Sequence, residues 1–128
     1  MSKQKLRLAM IGSGFMGKVH SNAFRQVGHF FDVPCEPQLR VICGRNRDKL
    51  VGAAAQWGWE EVETDWQAVV ARKDIDAVDI AVPNALHAPI AIAAAEAGKI
   101  VLCEKPLAVS LEEAKSMARA ACGVPNLV

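Results

Sequence analysis

The sequence lacks the features that mark several broad classes of protein. It has no tyrosine, and aromatic residues make up only 5% of it. Apolar stretches such as 80–82 and 100–103 fall far short of the roughly 20 residues that a bilayer-spanning helix needs. Fifteen basic residues stand against fourteen acidic ones, and a net charge of +1 gives no bulk attraction to nucleic acid or to an anionic membrane. We therefore predict a soluble protein that binds neither.

Cysteine patterning is also missing. The four cysteines, Cys35, Cys43, Cys103 and Cys122, show no CxxC pair and no Cys/His spacing of the kind that holds a metal ion. No cleavage site of small residues follows the apolar stretch 6–11, because a glycine-rich turn comes there instead, so no secretory signal is predicted. These observations predict reduced thiols, no metal site and a cytoplasmic location.

What is present is the composition of one globular domain. A chain of 128 residues that is 52% apolar and 23% charged has the size and balance of a single core, so residues 1–128 are predicted to form one domain. Apolar runs predict strands over 6–11, 39–43, 77–82 and 100–103, and the segment 61–63 is the candidate for a short third strand between them. Helical periodicity and end signals predict helices over 15–26, 48–57, 65–72, 86–97 and from a Ser110 cap to Cys122.

Strands that alternate with helices indicate an α/β fold with right-handed crossovers and a parallel sheet. The order most consistent with a nucleotide-binding unit is 3-2-1-4-5, the doubly wound Rossmann arrangement, with ligands at the carboxyl ends of strands one and four. Two prolines predict a long loop over 28–37, and residues 124–128 resemble the start of a sixth strand.

A glycine-rich turn follows the first predicted strand directly and opens the first predicted helix. Its six residues, which match the pattern GxGxxG, are Gly12, Ser13, Gly14, Phe15, Met16 and Gly17. In such a turn the first glycine permits the sharp bend, the second lets the backbone approach a pyrophosphate, and the third allows close packing of helix on strand. We predict a dinucleotide site. The alternatives are a glycine-rich turn without a ligand and a site for S-adenosylmethionine.

The end of the second predicted strand carries no carboxylate. NAD-preferring domains usually place an acid here to accept hydrogen bonds from the adenosine ribose, whereas this chain has Gly44, Arg45 and Asn46. Gly44 leaves space, Arg45 offers a planar donor for a 2′-phosphate, and Asn46 can assist. The segment therefore favours NADP. In an NAD enzyme Arg45 would instead stack on adenine or lie in solvent.

Two further segments carry a resemblance to a known family. The stretch 76–87 ends in Pro83, Asn84 and His87, and the stretch 98–107 contains the sequence Glu-Lys-Pro at 104–106. With the glycine turn in front, this ordered set resembles the Gfo/Idh/MocA family of nicotinamide-dependent oxidoreductases over essentially all 128 residues. The family includes glucose-fructose oxidoreductase and inositol dehydrogenases.

The resemblance implies roles for both segments. Pro83, Asn84 and His87 would lie near the ribose and nicotinamide. Glu104 and Lys105 would lie beneath the nicotinamide, with Lys105 facing the substrate as a catalytic residue, because a lysine beside a carboxylate can hold a charge or hydrogen bond near a reacting hydroxyl.

Without the family match, the same residues have plainer interpretations. His87 would cap or pack a helix, and Lys105 would be a surface lysine. The bond between Lys105 and Pro106 is predicted to be cis. The sequence assigns no role to His20 or to His29.

The resemblance also implies the reaction, which is hydride transfer between a nicotinamide cofactor and a hydroxyl-bearing carbon of a sugar, cyclitol or similar polyol. In this family the general base, a histidine, and most substrate contacts come from a second domain that these 128 residues do not contain. The expectation is a truncated cofactor-binding half that binds NAD(P) without turnover, from a parent that is a homo-oligomer. The alternative is a dinucleotide-sensing regulatory protein of the same family.

Overall fold

In the computed structural model, which describes residues 2–123, strands and helices alternate along the chain. The strands are β1 (Gln4–Ile11), β2 (Cys35–Cys43), β3 (Glu61–Glu63), β4 (Ala77–Ile80) and β5 (Ile100–Cys103). The helices are α1 (Phe15–Phe30), α2 (Arg47–Trp57), α3 (Trp66–Ala71), α4 (His87–Glu96) and α5 (Leu111–Cys122). Every pairing is parallel and the order is β3-β2-β1-β4-β5, which confirms the predicted Rossmann topology. Within this span no helix combines the length and the apolar character needed to cross a membrane.

Strand β1 shows why the central strands read as continuous apolar runs. Leu8 and Met10 pack into the core on one face of the sheet, whereas Ala9 and Ile11 pack into the core on the other. Helix α2 contributes to the first core, and helices α3, α4 and α5 contribute to the second. Because both faces are covered, successive side chains of a central strand are all buried and none needs to be polar.

The predicted loop over 28–37 is wrong. Helix α1 continues to Phe30 and β2 begins at Cys35, so four residues connect them. Pro37 lies inside β2, opposite Leu6 of β1. Strand β3 pairs only with the last three residues of β2, so the segment around Pro37 has a neighbouring strand on one side alone. Pro37 therefore needs no N–H for a hydrogen bond to β3.

Helix ends follow the sequence closely. Ser110 Oγ accepts a hydrogen bond from the Glu113 backbone N–H at 3.2 Å, which confirms the predicted cap of α5. The Glu113 carboxylate in turn accepts the N–H of Val109 at 3.1 Å. Gly98, with a φ of +75°, closes the turn between α4 and β5 in the left-handed conformation that the sequence predicts.

The carboxyl end of β4 differs from the prediction in a way that shapes the site. The strand ends at Ile80 rather than at residue 82, and Asn84–Leu86 forms a 3₁₀ turn before α4 begins at His87. Residues 81–86 therefore form a loop at the edge of the sheet where the glycine turn also lies. The predicted sixth strand, at 124–128, falls outside the described residues.

Candidate dinucleotide-binding site

Gly12 makes the sharp bend at the end of β1. Its φ is +115°, and its N–H donates to the Cys43 carbonyl at 2.8 Å. A Cβ placed on Gly12 would lie 2.2 Å from the Ala81 carbonyl oxygen. A Cβ on Gly17 would likewise lie 2.3 Å from the Gly12 carbonyl oxygen. Both positions therefore require glycine, because backbone occupies the space that any side chain needs.

Gly14 differs, because a Cβ there would meet no protein atom within 4 Å. Gly14 is the N-cap residue of α1. Because it has no side chain, the free N–H groups at the start of the helix are not covered. No acidic residue lies in the first turn of α1, so the positive end of the helix dipole is uncompensated. Phe15 and Met16 follow and are 78% and 37% exposed. The open space at Gly14 is what a phosphate at a helix N-terminus would occupy.

A groove of about 300 Å³ joins the predicted segments at the carboxyl edge of the sheet. Its walls come from the glycine turn, the end of β2 and the loop after β4. The lining residues are Gly12, Ser13, Gly14, Gly44, Arg45, Ala81, Val82, Pro83 and Leu86. Six of these nine lining residues are ones that the sequence placed at the cofactor, and they come from three separate parts of the chain.

The residues after β2 divide into two groups. Gly44 and Arg45 line the groove, and a Cβ on Gly44 would lie 3.2 Å from Leu50 and 3.3 Å from the Ser13 hydroxyl. Asn46 instead caps α2, because its Oδ1 accepts the Lys49 N–H at 3.1 Å. Only Gly44 and Arg45 of the predicted trio therefore border the groove.

His87 is placed beneath the loops rather than in the groove. Its ring is 1% exposed, with Nε2 at 2.8 Å from the Val82 carbonyl oxygen and Nδ1 at 2.9 Å from the Pro106 carbonyl oxygen. Val82 lines the groove, and Pro106 follows Lys105. The histidine thus joins the loop after β4 to the segment after β5. Asn84, by contrast, is exposed at the start of the 3₁₀ turn.

The segment after β5 starts next to β4. The Glu104 N–H donates to the Ile80 carbonyl at 2.9 Å, and the Glu104 carboxylate accepts the Lys105 N–H through Oε2 at 3.0 Å. The Lys105–Pro106 peptide bond is cis, as predicted, and Lys105 is exposed. Lys105 is therefore carried on a backbone that Glu104 holds on one side and His87 on the other.

The sequence assigned no role to His20. It lies on α1, three positions after Gly17, and its ring bridges two carboxylates. Nδ1 is 2.7 Å from Oδ2 of Asp79, and Nε2 is 2.7 Å from Oε1 of Glu104. Asp79 is in β4 and only 1% exposed. The signal available in the sequence was Asp79 itself, an acid within a strand that is otherwise apolar.

The protonation of this cluster follows from its contacts. Burial alone lowers the pKa of His20, but the attraction and hydrogen bonds of Asp79 and Glu104 outweigh it and the pKa is raised. Burial raises the pKa of Asp79, with His20 opposing. The hydrogen bond from the Lys105 N–H, and then that from His20, lower the pKa of Glu104. Burial also raises the pKa of the neighbouring Cys103 thiol to about 11, so this thiol is not a nucleophile near neutral pH.

Comparison with known proteins decides the family. A family model described as an oxidoreductase family with an NAD-binding Rossmann fold matches residues 6–127. The chain belongs to the Gfo/Idh/MocA family. This Gfo/Idh/MocA domain is 49% identical over 115 residues to a levoglucosan dehydrogenase of Pseudarthrobacter phenanthrenivorans, and the match covers 89% of the chain and 30% of the relative. It is 37% identical over 109 residues to an inositol 2-dehydrogenase of Saccharopolyspora erythraea, covering 84% and 30%.

Solved structures agree with the sequence matches. A levoglucosan dehydrogenase in complex with NADH superposes with a TM-score of 0.93 at 46% identity, over 96% of this chain and 33% of that one. A myo-inositol 2-dehydrogenase from Lactobacillus plantarum superposes with a TM-score of 0.82 at 30% identity, over 98% and 35%. The Gfo/Idh/MocA domain therefore spans about a third of the length of these relatives.

Proposed function

We propose that this chain binds a nicotinamide dinucleotide and serves as the cofactor-binding part of a dehydrogenase that acts on a sugar, cyclitol or similar polyol. The observation that carries the proposal is the groove at the glycine turn, where the missing side chain of Gly14 leaves open space at the free N-terminus of α1. That space fits a pyrophosphate and would be filled by any larger residue. Relatives that match most of the chain include a levoglucosan dehydrogenase and an inositol 2-dehydrogenase.

The residues of the groove take distinct parts in this proposal. Gly12, Ser13 and Gly14 bind the pyrophosphate together with the first N–H groups of α1, including those of Phe15 and Met16. Pro83 and Asn84 lie along the loop that passes the ribose and nicotinamide. His87 acts indirectly, because its ring is buried against carbonyl groups of the two loops.

Lys105 is the proposed catalytic residue of this chain. When bound, the nicotinamide accepts or supplies the hydride. Lys105, exposed after the carboxyl end of β5, would lie beneath the nicotinamide, as the family resemblance implies, and would hold a positive charge and hydrogen-bond donors for the substrate hydroxyl. The family resemblance assigns the general base to a second domain, so we expect the 128-residue chain to bind nucleotide without turnover. A homo-oligomeric parent protein is proposed on the same resemblance, and a cytoplasmic location is proposed on the cysteine pattern, which predicts reduced thiols.

Titration of NADH against the purified chain tests the binding proposal. We expect a saturable change in NADH fluorescence that is reversed by excess NAD or NADP and not by S-adenosylmethionine. Binding of S-adenosylmethionine in place of NADH, or no binding of any dinucleotide, would overturn the proposal. Steady reduction of either cofactor by the chain with a polyol would instead contradict the expectation of no turnover.

The preference between the two cofactors depends on Arg45, the cation that borders the groove after β2. We propose that it favours NADP, and Arg45→Asp then weakens NADP binding by about tenfold relative to NAD, the size of one charge-assisted hydrogen bond lost and a repulsion gained. Arg25→Asp, at a residue that does not line the groove, makes the same change in net charge and serves as the control. A chain that prefers NAD before the substitution, as the NADH complexes of its relatives suggest, refutes this preference.

A further inference from the structure

The ring of His20 lies between two acceptor groups that come from different strands. Asp79 belongs to β4 and Glu104 follows β5, and each places a carboxylate oxygen 2.7 Å from one ring nitrogen. Ionised carboxylates accept hydrogen bonds and do not donate them, so a ring with an N–H on both nitrogens satisfies both contacts. A ring with one N–H would satisfy only one. The geometry therefore fits a positively charged imidazolium held by two negative groups.

The second oxygen of Glu104 connects this cluster to Lys105. Oε2 accepts the Lys105 backbone N–H at 3.0 Å while Oε1 faces His20, so a single carboxylate contacts both. The side chain of Glu104 is only 17% exposed, which limits the positions that it can adopt. A change at His20 is thus transmitted through one side chain to the backbone that carries Lys105.

We propose that His20 is a positioning residue for Lys105, which it orients by holding the Glu104 carboxylate as a charged hydrogen-bond donor. This inference rests on the proposed function only for the consequence in nucleotide binding, because the linkage itself is a property of the protein alone. His20 does not line the groove, and its ring bonds to Asp79 and Glu104. Its effect is therefore on the geometry of the proposed catalytic lysine and not on the chemistry of hydride transfer.

The pH range of the effect follows from the groups that face His20. Asp79 from β4 and Glu104 from the segment after β5 are its ionisable partners, and Lys105 and Cys103 lie next to Glu104 in the chain. The two carboxylates raise the pKa of His20, so its charge persists above the ordinary histidine value of about 6.5. His20 therefore positions Lys105 fully at a pH below the ordinary histidine pKa, and this effect is lost as the pH rises through the raised pKa of His20.

An NMR titration of the wild-type chain tests the linkage without any ligand. The amide signal of Lys105 and the ring signals of His20 are followed from pH 5.5 to pH 9. This range begins about one pH unit below the ordinary histidine pKa and ends more than about two units above it. We expect the Lys105 amide to move over the same pH interval as the His20 ring. In His20→Gln that movement disappears. His29→Gln, on the same helix but exposed, leaves it unchanged.

A double-mutant cycle tests the consequence for nucleotide binding. His20→Gln is expected to weaken NADH binding by about tenfold, as for one lost charge-assisted hydrogen bond. In a Lys105→Ala background the same substitution is expected to change binding by less than about twofold, because residues that act through one another are not additive. An equal loss in both backgrounds would mean that His20 acts on the fold and not through Lys105.

The two measurements separate failure of this inference from failure of the proposed function. If the chain binds no dinucleotide but the Lys105 amide follows the His20 titration, the proposed function fails and the positioning role stands. If NADH binds but the Lys105 amide is indifferent to His20, the positioning role is refuted. The wild-type titration needs no variant, so a His20→Gln protein that does not fold still leaves the inference open to refutation.

Discussion

Gly12→Ala is expected to lower the free energy of unfolding by about 4 kcal/mol, a large part of the stability of a domain of this size. The left-handed φ of +115° costs an alanine about 1–2 kcal/mol. The new methyl group would also lie 2.2 Å from the Ala81 carbonyl oxygen, and relieving such a clash by moving backbone costs about 1–3 kcal/mol more. Urea unfolding followed by circular dichroism measures the change.

Gly14→Ala is the matched variant two residues further along. Its Cβ meets no protein atom within 4 Å, so the free energy of unfolding should change by less than about 1 kcal/mol. The same methyl group stands in the space proposed for the pyrophosphate. We therefore expect NADH affinity to fall by about 100-fold, the equivalent of roughly 3 kcal/mol of steric conflict. Together the two variants separate a glycine that the fold needs from one that the ligand needs.

Gly52→Ala supplies the control for alanine itself. Gly52 lies inside α2, and a Cβ on it would meet no atom within 4 Å, so alanine should stabilise the helix by up to about 1 kcal/mol and leave NADH binding unchanged. A stable Gly12→Ala protein would show that the turn can relax away from Ala81. Undiminished NADH binding by Gly14→Ala would remove the glycine turn from the proposed site.

The parts of the fold that sequence reasoning predicted are those with local causes. Ser110 and Glu113 are three residues apart and cap a helix by themselves, and the two glycines that the backbone requires, Gly12 and Gly17, lie within a stretch of six residues. The order of the sheet followed because alternating strands and helices allow few topologies. The loop over 28–37 was mistaken because Pro37 is disruptive in a strand with neighbours on both sides, and which side is open depends on the short length of β3.

The residues of the candidate site also divide into those that short motifs predict and those that depend on distant contacts. Gly12, Gly14 and Arg45 belong to short motifs at strand ends, and they meet at the groove as the topology requires. His20 could not be found in this way, because its partners Asp79 and Glu104 lie 59 and 84 positions away along the chain. A single histidine on a helix carries no pattern. Its role comes from the tertiary fold, which brings the His20 ring within hydrogen-bond distance of Asp79 and Glu104.

His87→Leu is the second substitution with a large expected effect. The leucine fills a similar buried space but donates no hydrogen bond, so the carbonyl groups of Val82 and Pro106 lose their contacts with the ring. A ring with one N–H donates to only one of these two part-buried carbonyl groups. Leaving that acceptor without its donor costs about 1–3 kcal/mol, and we expect the free energy of unfolding to fall by about 2 kcal/mol. His29→Leu, at an exposed position, should change it by less than about 0.5 kcal/mol.

The loss at His87 should also reach nucleotide binding, because this ring joins a wall of the groove at Val82 to the segment that carries Lys105. His87→Asn can keep one donor near the former Nδ1, and we expect it to retain the bond to Pro106 and to recover part of both stability and NADH affinity. If His87→Leu lowered stability while NADH affinity in the folded protein stayed at the wild-type value, His87 would be a packing residue alone. If the asparagine variant matched wild type in both, the contact with Val82 would contribute nothing, and the connection between the two loops would rest on Pro106.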